Sequence, residues 1–404
     1  MNGLTRRQMV KAMAVAAGTV TASAFTLGAN TSVAGASPAQ EIKVLSLNTW
    51  HGGTKINGGL QLIADMIIST QASIVLLSEA GTATTALADM LTKSGTTFYG
   101  AASSDVGILS KFPIEETADL NSMIKAVVTV DGKQIAAYSA HLAYTSYATY
   151  LPRGYGAGVP KPGEFSEFGW NKMPSGPVTD PETVQRVNVN SGRPKAISTF
   201  VDDAAKERAK GRSVILGGDF NEPSALDWTD GTRNLFDHNG VVVPWESTRL
   251  LDQAGFVDAY RSKYPNPATH PGFTWPSDNP DVDTSQLTWA PEADERDRID
   301  YIFADRASDL KLGSVGIIGP RKTIVHNQRV EENSQDNFIA SPTPWPTDHK
   351  AVLATYRFVS FGGGSSTGSW AVPDRASRSQ SIIIGVNSGS LVTAQCPASG
   401  MTCT

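Results

Sequence analysis

Eight side chains stand where hydrophobic runs stop. Asn48 closes the run Ile42–Leu47, Glu79 follows Ile74-Val75-Leu76-Leu77-Ser78, and His141 follows Ile135–Ala140. Asp219 and Asn221 follow Val214-Ile215-Leu216-Gly217-Gly218, Asp300 sits inside Ile299–Phe303, and Asp348 and His349 precede Ala351–Phe358. Carboxylate oxygens are hard donors suited to Mg2+, Mn2+ or Ca2+. Such an ion neutralises phosphoryl oxygens and stabilises charge that builds up during hydrolysis. Imidazoles move protons near neutral pH. The amides of Asn48 and Asn221 donate hydrogen bonds without adding repulsive charge. Together the set suits metal-assisted hydrolysis of a phosphoester. Taken singly, Glu79 and Asp219 also read as strand-end caps, and His349 as a loop histidine. Asp300, a charge inside an apolar run, demands a partner. No zinc-binding helix motif, phosphate-cradling glycine loop or nucleophilic serine elbow accompanies them.

Converging these residues requires their strands to share one layered core. Ile42–Leu47 alternates as a strand does, and Ile74–Leu77 and Ser213–Leu216 read as short buried strands. Ile124–Val130 and Gln134–Ser139 flank Asp131-Gly132, a hairpin turn signal. Ile299–Phe303, Val315–Ile318 and Ala351–Phe358 add further strands. Gly59–Ser69 places Leu60, Ile63 and Ile67 on one helical face, and Pro194–Lys210 reads as an amphipathic helix with Ile197, Val201 and Ala204 inward. Strands with helices between some of them predict an α+β fold, two facing sheets with helices outside. The segment 144–191 reads as an irregular, aromatic-rich insertion, long for a plain connection.

The chain has 404 residues, 40% hydrophobic and 18% charged, with a formal net charge of −5. That balance gives no general electrostatic pull on nucleic acid or anionic lipid, though a local basic patch stays compatible with it. Cys396 and Cys403 are the two cysteines. Both lie at the extreme C-terminus, so the core does not rest on disulfides, and a small terminal disulfide loop is as good a reading as two free thiols. The start looks like an address: Arg6-Arg7 with Met9 and Lys11, an Ala-rich stretch from Ala12 to about Ala29, then Ala34-Gly35-Ala36 as a cleavage site. The paired arginines are similar to a bacterial twin-arginine signal; an ordinary secretory signal or an uncleaved anchor are the other readings. All three predict export. Cleavage after residue 36 would remove three basic residues and no acids, taking −5 to −8. The expected organisation is a signal over 1–36, a catalytic domain over 37–361, and a Gly/Ser linker (Gly362–Ser366) with a short tail over 362–404. No stable membrane insertion after cleavage and no protein partner are implied.

The ordered motifs carry a resemblance. Leu45-Ser46-Leu47-Asn48-Thr49-Trp50, Leu76-Leu77-Ser78-Glu79, Gly107–Ile114 and Ser139-Ala140-His141-Leu142 come first. Gly217-Gly218-Asp219-Phe220-Asn221, Asp297-Arg298-Ile299-Asp300-Tyr301 and Thr347-Asp348-His349 follow. Over about Ile42–Phe358 this order resembles the endonuclease/exonuclease/phosphatase superfamily, which contains DNase I-like nucleases, sphingomyelinases and inositol-phosphate phosphatases. The resemblance implies a four-layer α/β/β/α sandwich of two mixed sheets. It implies Glu79 as the main metal carboxylate, supported by Asn48, with Asp348 near a Mg2+ (or Mn2+ or Ca2+) ion. It implies Asp219 and Asn221 as handling nucleophile or leaving group, His349 beside the attacked phosphorus, oriented by Asp300, and His141 as a second histidine. Base and acid stay unassigned, because coupled groups share protons.

The insertion, directly after His141, is expected to set substrate choice. Arg153, Arg186 and Arg193 are candidate phosphate clamps, since guanidinium grips phosphate bidentately; solvated surface arginines are the plainer reading. Tyr147, Tyr150, Tyr155, Phe165, Phe168 and Trp170 either stack a substrate ring or form the insertion's own small core. His51, near Asn48, either touches the site or is structural, the structural role being the plainer reading; His238, His270 and His326 read as surface or structural, and Asp105 as a cap. The substrate is expected to be a nucleic acid or a small phosphorylated molecule, with an extracellular nuclease as one version. A binding protein that kept the fold without turnover is the competing class.

Overall fold

The computed structural model describes residues 40–341 and 344–359. The expected signal, the Gly/Ser linker, the tail and both cysteines fall outside the described residues. The first strands are β1 (Glu41–Asn48), β2 (Ile74–Ser78), β3 (Tyr99–Ala102), β4 (Gly107–Ser110) and β5 (Ile114–Asp119). Next come β6 (Met123–Val130), β7 (Lys133–His141), β8 (Ser213–Asp219), β9 (Phe256–Asp258) and β10 (Asp300–Asp305). The last are β11 (Leu310–Ile318), β12 (Lys322–Val325), β13 (Gln328–Glu331), β14 (Phe338–Ile339) and β15 (Ala351–Phe358). The helices are α1 (Gly59–Thr70), α2 (Ala83–Lys93), α3 (Pro181–Val189), α4 (Arg193–Ala209), α5 (Glu246–Gln253) and α6 (Ala259–Lys263).

Two mixed sheets face each other. One has the order β14-β11-β15-β1-β2-β4-β3, the other β5-β6-β7-β8-β10-β9, and β12 and β13 form a separate hairpin. The alternation read in the sequence explains the layers. In β1, Val44 points between the sheets and meets Ile74, Leu76, Ile108, Ile215 and Ile302. Its neighbours Leu45 and Leu47 point outward to Ile63, Met66 and Ile67 of α1 and Leu87 and Leu91 of α2. On the other sheet, Val214 and Leu216 turn outward to Ile197, Phe200 and Ala204 of α4 and Leu251 of α5. Side chains one residue apart on a strand thus serve different layers. The order helix, sheet, sheet, helix is the architecture the resemblance implies.

The hairpin signal at Asp131-Gly132 turns β6 into β7, with positive φ at both residues (49° and 74°), as a two-residue type I′ turn requires. One expectation needs correction. The insertion is not irregular throughout, because its end forms α3. Asp180 caps that helix by accepting from the Thr183 amide, Pro181 starts it, and Val184 and Val187 bury its inner face. The remainder of the insertion packs on later segments of the chain, with Ala148, Leu151 and Met173 in one cluster with Trp228, Val243 and Trp245.

Candidate active site

Strand register alone places three of the eight residues side by side. His141 of β7 pairs with Asp219 of β8, and Asp219 pairs with Asp300 of β10. On the facing sheet, Asn48 of β1 pairs with Ser78 of β2, one residue before Glu79. β15 runs antiparallel to β1, with Val352 opposite Ser46, so Asp348 and His349 enter at the same rim.

Two glycines let the sheets meet there. A Cβ on Gly217 would stand 2.7 Å from Leu76 Cδ1 across the sandwich and 2.8 Å from the Tyr301 carbonyl. Gly218 has φ +136°, and a Cβ there would stand 1.9 Å from the Ala140 carbonyl oxygen. The gap is bridged by buried serines. Ser78 Oγ donates to the Ala140 carbonyl (2.8 Å) and accepts from the Asp219 amide (3.0 Å). Ser139 Oγ donates to the Leu77 carbonyl (3.0 Å). Across this seam Asn48 Nδ2 donates to Asp219 Oδ2 at 2.9 Å and to Glu79 Oε1 at 3.2 Å. The amide therefore separates two carboxylates that would otherwise repel.

Two histidines close on Asp219 from opposite sides. His141 Nε2 lies 3.8 Å and His349 Nε2 3.7 Å from Asp219 Oδ2. Each ring is held from behind by a carboxylate: Asp300 Oδ2 at 2.9 Å from His349 Nδ1, and Asp105 Oδ2 at 2.6 Å from His141 Nδ1. Asp105 was read as a cap, yet it is the second member of a His–Asp pair. It stands just before the Gly107–Ile114 motif, and its partner lies 36 residues away.

The electrostatics follow. Burial disfavours charge on His349, but the carboxylates of Asp300 and Asp219 outweigh it and raise its pKa to about 10. Burial likewise opposes charge on His141, and its bond to Asp105 with the field of Asp219 and Glu79 raises it to about 9. Burial pushes Asp219 up to about 6, with Asp300 adding to the rise and the two histidines opposing it. Burial also raises Asp348, with Glu79 adding to the rise. Burial acts to raise Glu79 too, but His141, Asn48, His349 and the His51 amide hold it below its ordinary value.

The backbone here is strained. Trp50, His51, Gly52 and Gly53 have φ of 49°, 56°, 67° and 76°, a full left-handed turn after Asn48. The turn aims the Trp50 amide at Asn48 Oδ1 and the His51 amide at Glu79 Oε2, each at 2.9 Å. Glu79 (φ 54°) and Asn221 (φ 48°) are left-handed as well. Non-glycine residues tolerate this conformation only where the surroundings enforce it. Asn221 is fixed by its amide on Asp219 Oδ1 (2.8 Å) and its Nδ2 on the Leu142 carbonyl (3.1 Å).

Two donor groups are candidates for a cation. Glu79 and Asp348 offer carboxylate oxygens and Asn48 its amide Oδ1, which also accepts from the Trp50 amide; oxygen ligands are the choice of a hard divalent ion. Asp219, Asp300 and His349 offer ligand atoms all within 4.8 Å of one another. Asp300 Oδ1 is buried without a hydrogen-bond partner, which fits a site built around positive charge. In the second group, however, Asp300 Oδ2 and His349 Nδ1 already bind each other.

The three arginines are placed differently from their reading as phosphate clamps. Arg153 is buried, bidentate on Asp297 at 2.7 and 3.2 Å. Arg193 is buried on Glu222 (3.1 Å) and donates to the carbonyls of Ala143, Thr145 and Ser146 at 2.7–2.9 Å. Arg186 is exposed on α3 and forked onto Glu164, both bonds 3.0 Å. Their partners lie far away in sequence, so spacing could not reveal them. Tyr147, Tyr150 and Tyr155 are buried with Trp275 in the insertion's small core. Phe165 and Phe168 pack on the neighbouring cluster. His238 stacks on Trp228, and His270 on Tyr264. His326 pairs with Asp237.

The sequence matches the model of the Endonuclease/Exonuclease/phosphatase family over residues 45–349. An uncharacterised protein of Caenorhabditis elegans is 26% identical over 336 residues, 79% of this chain and 92% of that protein. Similar solved structures include D. rerio TDP2 complexed with a single strand DNA product (14% identity, 78% of this chain and 99% of that one, TM-score 0.44). The human Nocturnin catalytic domain with bound sulfate is another (12% identity, 79% and 95%, TM-score 0.46).

Proposed function

The chain belongs to the endonuclease/exonuclease/phosphatase family, and from that premise we propose that it is a divalent-metal-dependent phosphoesterase. One observation carries the reading: His141 and His349 point Nε2 at the same Asp219 oxygen, 3.8 and 3.7 Å away, each oriented by its own aspartate. Those gaps exceed a direct hydrogen bond, and they suit a water or phosphoryl oxygen between the groups. Asp219, with its pKa at about 6, is the carboxylate nearest in strength to a general base at neutral pH. It takes the proton of the attacking water as the new phosphorus–oxygen bond forms. His141 and His349, whose carboxylate partners favour the imidazolium, hydrogen-bond the phosphoryl oxygens, and an imidazolium gives its proton to the departing ester oxygen. Glu79, Asn48 and Asp348 would hold the cation, whose charge neutralises the phosphoryl group.

The test is hydrolysis by the purified full chain. With Mg2+ or Mn2+, plasmid DNA and small phosphoesters are compared, and EDTA should stop turnover. Nicking assigns nuclease action; phosphate release from small esters without nicking assigns phosphatase action. Turnover that survives both Asp219→Ala and His349→Ala would overturn the proposal. Export through the first 36 residues is a separate proposal, supported by Arg6-Arg7 and Ala34-Gly35-Ala36. A reporter fused to residues 1–40 should leave the cytoplasm, and replacing both arginines by lysine should retain it.

A further inference from the structure

Most aromatic side chains of the insertion are internal, but they carry two that are not. Tyr147 and Tyr150 are buried, their hydroxyls on Asp297 (2.8 Å) and Glu295 (2.6 Å). Trp170 packs on Tyr150 at 5.9 Å between ring centres. A Cβ on Gly158 (φ +60°) would stand 2.1 Å from the Trp170 indole, so that indole lies directly on the glycine backbone. On this seat Tyr144 stacks at 6.2 Å and 15°, and Trp289 packs edge-on at 4.8 Å. Tyr144 is 55% exposed and Trp289 47% exposed, with their rings 6.4 Å apart. The result is a solvent-facing aromatic surface on a rigid base.

That surface is linked to the catalytic centre by two structural routes. Trp275 belongs to the buried cluster under Trp170, and its ring centre lies 6.5 Å from that of His349. Tyr144 lies three residues after His141, on a segment locked in place. Asn221 holds the Leu142 carbonyl, and Arg193 holds those of Ala143 and Thr145.

We propose that Tyr144 and Trp289 form a subsite for a flat ring borne by the substrate, so that a nucleobase beside the scissile phosphoester is preferred over a ring-less ester. The proposal rests on the phosphoesterase reading. Aromatic faces stack on any base, because every base has a π-face. Of the candidates for gripping backbone phosphates, Arg153 and Arg193 are buried on carboxylates and Arg186 is paired with Glu164 at the surface. The exposed faces of Tyr144 and Trp289 offer recognition through the ring. A free nucleotide and an unpaired strand both present such a ring, whereas a duplex keeps its bases in the stack.

The experiment measures kcat/KM with Mg2+ on a dinucleoside monophosphate, a single-stranded oligonucleotide, the same oligonucleotide with abasic sites, and glycerophosphocholine. Quenching of intrinsic tryptophan fluorescence by a nucleoside monophosphate, without metal, reports binding independently of turnover. Tyr144→Leu and Trp289→Leu should each lower kcat/KM on the base-bearing esters about five- to a hundredfold, through KM. They should leave the ring-less esters unchanged and weaken the quenching, and Tyr144→Phe and Trp289→Phe should retain most of the preference. The first two substrates separate recognition of a single dinucleoside step from recognition of a longer strand. Equal turnover of base-bearing and ring-less esters, or leucine variants that lower all esters alike, would overturn the subsite and leave the phosphoesterase standing. No turnover of any ester by the wild-type chain would remove both.

Discussion

The two His–Asp pairs have the same chemistry and different burial, which makes their relative importance predictable. Asp300 is buried and lies 2.9 Å from His349; the Asp105 side chain is 52% exposed and lies 2.6 Å from His141. Asparagine at either position keeps the shape and removes the charge. Opposite unit charges about 4 Å apart interact by roughly 4 kcal/mol at an effective dielectric of 20 and about 1 kcal/mol in bulk water. The Asp300 pair belongs near the first limit and the Asp105 pair between the two. If each ring is cationic in the transition state, Asp300→Asn should lower kcat about a thousandfold and Asp105→Asn about ten- to fiftyfold. Both carboxylates raise their histidine, so each substitution should also move the alkaline limb of the pH–rate profile to lower pH. Steady-state kinetics on one phosphodiester from pH 5 to 10, with melting curves as a control on folding, measures both effects. An Asp105→Asn defect equal to or larger than that of Asp300→Asn, with both variants folded, would refute the argument that burial sets the strength of the pairs.

Three more outcomes follow from features of the supporting scaffold. Gly218→Ala adds a Cβ 1.9 Å from the Ala140 carbonyl oxygen in a conformation that favours glycine; it should destabilise by at least about 3 kcal/mol and displace Asp219, read by melting temperature and activity together. Arg193→Met leaves Glu222 buried without its cation and the Ala143–Ser146 carbonyls without their donor; a loss of about 3–5 kcal/mol is expected in urea unfolding. Burial acts to raise Glu207, but Lys125, Arg212 and Lys210 outweigh it and hold the carboxyl at about 2. With a folded pKa below the ordinary 4.5, its stabilisation is present above pH 4.5 and lost as pH falls toward 2. That loss is worth about 3 kcal/mol, and Glu207→Gln should flatten that limb of the stability–pH curve.

What could be read from the sequence was whatever the chain writes locally. The strands carrying Asn48, Glu79, Asp219 and Asp300 are apolar runs with a polar end, and the period fixes which residues face which layer. Convergence at one rim then follows from strand register. The Asp180-Pro181 start of α3 was also legible, as a cap followed by proline, but the glycines and aromatics before it masked the signal. Other features depend on partners that only folding supplies. Asp105 looks like any turn acid until His141 arrives beside it. Arg153 and Arg193 look like surface cations until Asp297 and Glu222 bury them. Trp289 sits in an unremarkable loop until the insertion folds against it.

The left-handed backbone at Trp50, His51 and Glu79 sets the site against its own scaffold. Each such residue costs about 1–2 kcal/mol that glycine would recover. A lineage drifting without demand for turnover would be free to take up those glycines. An engineer screening blindly for thermal tolerance would be drawn to the same positions. Hardening this protein therefore calls for a selection that scores phosphoester hydrolysis alongside melting, with these three residues withheld from the library.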